Sequence, residues 1–323
     1  RNATWLLGNL CRNKNPNPTP IKYVEQMLPM IVELLACPDD QVIIDALWAI
    51  SYLTDGDNAR IQTALDGDIL PGLAQILAKC SENPSDNISI LTPCIRSIGN
   101  VVTGNDHQTD AVLAQNGILD SFLIILRDTT RVCVQKEVCW TMSNITAGTS
   151  PQIQEVLNSG IMPIIIDKLG KAEFRVQKEA IWVITNLTAG GDFDQIMETL
   201  AFEGGACLKY LIKLLKCNES GVITTILDAI KNFLIHFEKN DRLDDLASMI
   251  EELGGLETIE KLQESENEEV YNAAYKLLDE YFNEEDEDIV ETVEFPTGQN
   301  AKTGEFEFVS GGAEGPQGDQ FSF

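Results

Sequence analysis

Four tryptophans carry the most regular chemistry in this chain. Trp5, Trp48, Trp140 and Trp182 are each followed four residues later by a polar side chain: Asn9, Tyr52, Asn144 and Asn186. The gap between Trp48 and Trp140 is about twice the others. Its middle holds Arg96 with Asn100 in the same register, so that successive spacings are 43, 48, 44 and 42. Residues i and i+4 share one helix face, one turn apart. Stacked helices would therefore carry two parallel rows, one aromatic and one of amides. An indole presents an apolar, electron-rich face, and a Lys or Arg stem between two such faces gains about 0.5–2 kcal/mol of cation–π attraction per contact. Asn has both a donor and an acceptor, which suits the N–H and C=O of an extended peptide. Regular stacking matches side chains that alternate along such a peptide. Glu137 and Glu179 each sit three residues before a Trp, close to the same face, where acids complete the site for cationic heads. A single Trp reads as core, since the residue is mostly buried. The set does not, because core packing has no reason to select Asn, a mediocre helix former, at i+4.

The elements that position these rows follow the same frame. Gly56, Gly104, Gly148 and Gly190 lie eight residues after the last four anchors. Each is expected to end an apolar helix in the left-handed conformation open to glycine. A second series, Gly67, Gly117, Gly160, Gly205 and Gly255, precedes apolar-periodic runs such as Ile118–Leu126, Ile161–Leu169 and Leu208–Leu215. Two further units continue without Trp, with third helices expected at Ile226–Phe237 and Val270–Phe282. Three helices in a period of about 40–47 residues are the armadillo pattern. The expected fold is all-α: a right-handed armadillo α-solenoid of roughly six full repeats after a partial one. Each unit leaves an apolar face that only its neighbours cover, and the concave side offers room for an extended ligand. Residues 1–13 read as the last helix of a truncated armadillo repeat, 14–283 as armadillo repeats and 284–323 as an acidic, disordered tail. That tail opens with Glu284, Glu285, Asp286, Glu287 and Asp288.

Composition narrows the partners. The 323 residues carry a net charge of −28. This disfavours nucleic acid, whose phosphates need Lys and Arg, and it disfavours anionic membrane. It favours a cationic partner, whose encounter a negative field accelerates. The eight Cys form no C-x-x-C pair and the two His, His107 and His236, are far apart. No zinc spacing is available and no cofactor or metal is expected; most Cys read as small core residues. Without a nucleophile motif or a phosphate loop, the sequence offers no catalytic constellation, and no enzyme is expected.

Several strings are specific. "RNATWLLGNLCRNKNP", "LWAISYLTDG", "RSIGNVVTGNDHQT", "VQKEVCWTMSNITAG", "VQKEAIWVITNLTAGG" and "IEELGGLETIEKLQESENEEVY" before an acidic tail resemble the importin-α (karyopherin-α) family nearly end to end. The resemblance implies an adaptor for nuclear import. It would shuttle between cytoplasm and nucleus and bind the basic nuclear localisation signals of cargo proteins in Trp/Asn grooves. It places Trp5/Asn9 on the last unit of a larger groove that is otherwise mostly missing, Trp48/Tyr52 on the next unit, where the ladder lapses, and Asn100, Trp140/Asn144 and Trp182/Asn186 in a smaller, intact groove. It implies roles in the smaller groove for Val102, Gly104, Asp106, Thr109, Glu137, Ser143 and Glu179, while Arg96 pairs with acids and shapes the gap. Importin-β would dock only through an N-terminal basic segment that this sequence lacks, and a recycling exportin on the C-terminal repeat. The other reading is an armadillo scaffold of adhesion or signalling, whose grooves take extended ligands of acidic character.

Overall fold

The computed structural model of the protein describes residues 1–12 and 18–283. Among the described residues there are eighteen α-helices and no strand. Helix α1 (Asn2–Arg12) precedes a two-helix unit, α2 (Ile21–Leu34) and α3 (Asp40–Thr54). Three-helix units follow: α4 (Asn58–Asp66), α5 (Ile69–Ser81) and α6 (Ile88–Val101), then α7 (Asp106–Leu113), α8 (Ile118–Asp128) and α9 (Val132–Thr146). The next are α10 (Ser150–Asn158), α11 (Met162–Lys171) and α12 (Phe174–Gly190), then α13 (Phe193–Ala201), α14 (Ala206–Leu214) and α15 (Ser220–Glu238). The last is α16 (Leu243–Glu252), α17 (Gly255–Leu262) and α18 (Glu268–Tyr281). The all-α armadillo solenoid expected from the period is the fold observed. The acidic tail expected over 284–323 lies outside the described residues, as does Lys14 at the expected start of the repeats.

The third helices α1, α3, α6, α9, α12, α15 and α18 pack side by side in chain order. They give the Trp and Asn positions a common face. Most first and second helices here are short, and isolated helices under about 12–15 residues are marginal in water. They persist because each buries an apolar stripe against its neighbours. One continuous core runs from Cys11 to Leu278, with Phe122 and Phe233 its largest fully buried side chains. Each such Leu, Ile or Phe contributes about 1.5–3 kcal/mol when fully buried. Cys11, Cys80, Cys94, Cys139 and Cys207 belong to this core. Burial pushes the Cys139 and Cys207 thiols up to about 12.

Two expectations are corrected. The last two third helices start earlier than their apolar runs, at Ser220 and Glu268; the first turn of α18 is capped by Asn267, whose side chain accepts from Val270 N, while the polar start of α15 is carried by the long apolar helix behind it. The first glycine series does not adopt the left-handed conformation. That conformation belongs to Asp68, Gly117, Gly160, Gly204, Gly205 and Gly254 in the turns before second helices, and to Glu203 and Asp241. At Gly117 (φ 75°) a side chain would find open space but a strained backbone. Gly104 and Gly148 serve differently. A Cβ there would strike the side-chain oxygen of Gln108 or Gln152, which accepts the N-cap backbone N–H of Asn105 or Thr149 at 3.0 Å.

The same glutamines join successive units. Gln108 Nε2 donates to Asn58 O at 2.9 Å, Gln152 Nε2 to Asp106 O at 2.9 Å and Gln195 Nε2 to Ser150 O at 2.9 Å. All three are almost fully buried. Arg60 holds the corresponding place on α4, where no first helix precedes it among the described residues, and its guanidinium donates to Thr19 O.

Candidate functional site

The amide row is built into the backbone of the preceding helix. Asn100 on α6 donates from Nδ2 to Ser51 O at 2.9 Å and Thr54 Oγ1 at 3.2 Å on α3. Asn186 on α12 donates to Ser143 O at 2.9 Å on α9. One amide hydrogen of each is thus committed, and the carbonyl oxygen remains as the acceptor for anything laid along the face. Asn144 differs. Its Nδ2 is buried with no hydrogen-bond partner, and a buried unpaired donor costs about 1–3 kcal/mol. Asn9 turns its Nδ2 back onto Trp5 O at 2.9 Å within α1.

The aromatic row is graded in exposure. Trp5 is 62% and Trp182 47% exposed, whereas Trp48 and Trp140 are half-buried. Trp140 lies against Gly99, where a Cβ would collide with its six-membered ring. Its face is covered by the Arg96 guanidinium, 5.3 Å from the ring centroid. Trp48 stacks on Tyr52 with centroids 5.9 Å apart. A cleft of about 140 Å³ opens beside them, lined by Trp5, Asn9, Arg12, Asp45, Trp48 and Tyr52.

The two acids placed before the tryptophans have different fates. Glu137 is buried and engaged by Arg96, whose Nε donates to Oε2 at 2.6 Å while Nη2 pairs with Oε1; Lys136 Nζ stands 3.7 Å away. Arg96 therefore pairs with an acid, as the resemblance implied. Glu179 is half-buried, and among the described residues neither a hydrogen bond nor a salt bridge reaches its carboxylate. Burial raises its pKa above the ordinary glutamate value, Glu137 adds to this, and Lys136, Lys178 and Arg96 oppose it.

The other expected residues sit around the end of α6 and start of α7. Val102 and Thr109 are buried, so their side chains pack inward rather than onto the face. Gly104 makes room for Gln108, and exposed Asp106 lends its carbonyl to Gln152. Ser143 is buried, its hydroxyl donating to Trp140 O at 2.8 Å and its carbonyl holding Asn186. Three residues missed by the sequence reading continue the pattern. Asp45 precedes Trp48 by three, as Glu137 and Glu179 precede their tryptophans. Asp228 and Asn232 on α15 occupy the next anchor and amide positions, 46 residues after Trp182 and Asn186. The period carried one unit further reaches Asp228 and Asn232, but no Trp marks them, whereas the three-residue offset from Trp48 marks Asp45. Among the described residues no group of three or more His, Cys, Asp or Glu could hold a metal ion.

The model of the armadillo/β-catenin-like repeat matches residues 17–55 and 149–189, and that of an atypical Arm repeat matches 244–297. A designed armadillo-repeat protein in complex with the peptide (KR)4 is 30% identical, with a TM-score of 0.68 over 79% of this chain and 99% of its own. The chain belongs to the armadillo-repeat family. Within it, importin subunit alpha-1a of Oryza sativa subsp. japonica is 39% identical over 97% of this chain and 57% of its own length. Importin subunit alpha-3 of Arabidopsis thaliana is 40% identical over 89% and 53%. The importin-α resemblance read from the motifs is borne out by these armadillo relatives. The chain spans a little over half the length of the importin-α relatives it matches.

Proposed function

We propose that the third-helix face binds extended Lys/Arg-rich peptides, and that the protein acts as a nuclear import adaptor for cargo bearing such signals. The observation that carries this reading is Glu179: a half-buried carboxylate without a partner, one turn before an exposed Trp182, on a helix that also bears Asn186. Lys136, Lys178 and Arg96 offset its desolvation only from a distance, and a cation in direct contact would relieve the rest. The stem of one Lys or Arg packs between Trp140 and Trp182, its head meets Glu179, and Asn100, Asn144 and Asn186 hold its backbone. The cleft of Trp5, Asn9, Asp45, Trp48 and Tyr52 offers the stem of a peptide side chain a second aromatic place, with Arg12 at its edge opposing a cationic head. Val102, Gly104, Asp106, Thr109, Glu137 and Ser143 shape the groove from behind. The designed armadillo relative in complex with (KR)4 and the importin-α relatives agree with this chemistry. By the same relationship, importin-β serves as transport partner only through an N-terminal basic segment, a recycling exportin docks on the last unit, and the protein shuttles between cytoplasm and nucleus.

The test is a calorimetric titration with a short Lys/Arg peptide and with an Asp/Glu peptide of equal length. Binding of the basic peptide alone is expected. Binding of the acidic one alone would point instead to an adhesion or signalling scaffold.

A further inference from the structure

We propose that the groove runs one unit past Trp182, where Asp228 and Asn232 of α15 form a further subsite for one additional Lys or Arg of the bound peptide. This subsite presupposes that the face binds basic peptides.

The amide of Asn232 is held as those before it are. Its Nδ2 lies 3.5 Å from Thr185 O and 3.3 Å from Thr188 Oγ1 on α12. Asn100 meets Ser51 O and Thr54 Oγ1 on α3 in the same pairing. Thr54 and Thr188 both stand six residues after a tryptophan anchor. The carbonyl oxygen of Asn232 is thereby presented in register with those of Asn100 and Asn186, ready for one more peptide N–H.

Asp228 stands where the other units place an indole. A carboxylate there gives no stacking wall, but α12 packs directly against α15, and Trp182 is nearly half exposed. One wall and one anion make a complete site for a long cationic side chain, the stem on the indole and the head at Asp228. No hydrogen bond or salt bridge to a described residue engages the Asp228 carboxylate. The side chain is exposed, and partial desolvation by its neighbours raises its pKa, with Lys231 opposing. Lys231 is itself tied to Glu280 at 2.5 Å. On the far side a cleft of about 280 Å³ opens towards α18, lined by Asp228, Lys231, Glu269, Asn272 and Lys276. Glu269 and Lys276 bring opposite charges there, so the acid nearest Trp182 on this face is Asp228.

The test compares the peptides (KR)2 and (KR)4 by titration at fixed ionic strength on the wild type, Asp228→Asn and Asp228→Glu. The readout is the ratio of the two affinities. The longer peptide has more registers on every variant, so that factor cancels between variants. Asp228→Asn is expected to reduce the ratio about three- to fivefold, the span of an exposed charge pair, and Asp228→Glu to restore most of it. A ratio unchanged by Asp228→Asn, with the thermal midpoint preserved, overturns the subsite. If neither peptide binds the wild type, the basic-peptide reading fails first and the subsite with it.

Discussion

Arg96 and Glu137 close a two-point ion pair between α6 and α9, and the same guanidinium covers the face of Trp140. A cation supplied by the protein thus fills a place that a peptide side chain would otherwise compete for. The pair is unequal: the Arg96 side chain is 40% exposed and that of Glu137 only 6%. Removing Arg96 strands a buried carboxylate, with only Lys136 nearby, whereas removing the charge of Glu137 leaves a guanidinium that water reaches. Arg96→Ala is expected to cost about 2–3 kcal/mol and Glu137→Gln about 1 kcal/mol. Urea unfolding of both variants checks the order, and a larger loss for Glu137→Gln would refute it.

Glu179 gives a pH-dependent prediction. Its folded-state pKa is raised by burial above the ordinary value of 4.5. The neutral form is favoured in the fold, so its contribution to stability is fully present below the unfolded pKa and is lost as pH rises through the folded one. Glu179→Gln is therefore expected to raise the thermal midpoint at pH 7, and to lose that advantage by about pH 4. The same substitution weakens a basic peptide at pH 7 and flattens the salt dependence of its binding. Opposite signs for stability and affinity are the signature; a variant less stable at pH 7 would contradict the geometry.

The glycines before the capping boxes can be separated from those in left-handed turns. Gly148→Ala forces its Cβ into the Gln152 amide, while Gly117→Ala meets open space at φ 75°. Both are expected to destabilise by about 1 kcal/mol or more. In a Gln152→Ala background the cost of Gly148→Ala shrinks, because the colliding atoms are gone, and the cost of Gly117→Ala does not. Equal costs in both backgrounds would remove the steric explanation.

The period of the solenoid and the register of the amide row were readable from the four tryptophans. A substituted side chain at one anchor, Arg96, did not hide the register, because Asn100 marked it. The reverse held at the next unit. Asp228 is neither aromatic nor basic, and Asn232 without a Trp looked like any polar helix residue. What no spacing reveals is which acid a cation will take. Glu137 and Glu179 stand in equivalent positions, yet Arg96 from the preceding unit engages one and leaves the other unpaired. The glycine series failed for a similar reason. Its role is set by the reach of Gln108 and Gln152 from the following helix, a steric fact of packing rather than of local backbone preference.

Trp140 and Trp182 separate packing from binding. Trp140 is half-buried between the Gly99 backbone and the Arg96 guanidinium, so its loss opens a void and removes a cation–π contact. Trp182 is 47% exposed, and much of its surface already faces water. Trp140→Ala is expected to destabilise by about 3 kcal/mol or more, in the range for buried aromatics. Trp182→Ala is expected to cost about 1 kcal/mol, like most substitutions with limited burial. Both remove a wall of the same slot, and each is expected to weaken a basic peptide by about 2 kcal/mol, as aromatic hot spots do. The comparison therefore needs two axes, thermal midpoint and peptide affinity. A pair of variants alike in affinity and unlike in stability supports a ladder whose lower rung is also structural. If Trp182→Ala unfolds the protein as readily as Trp140→Ala and leaves peptide affinity intact, Trp182 is a packing residue and the groove lies elsewhere.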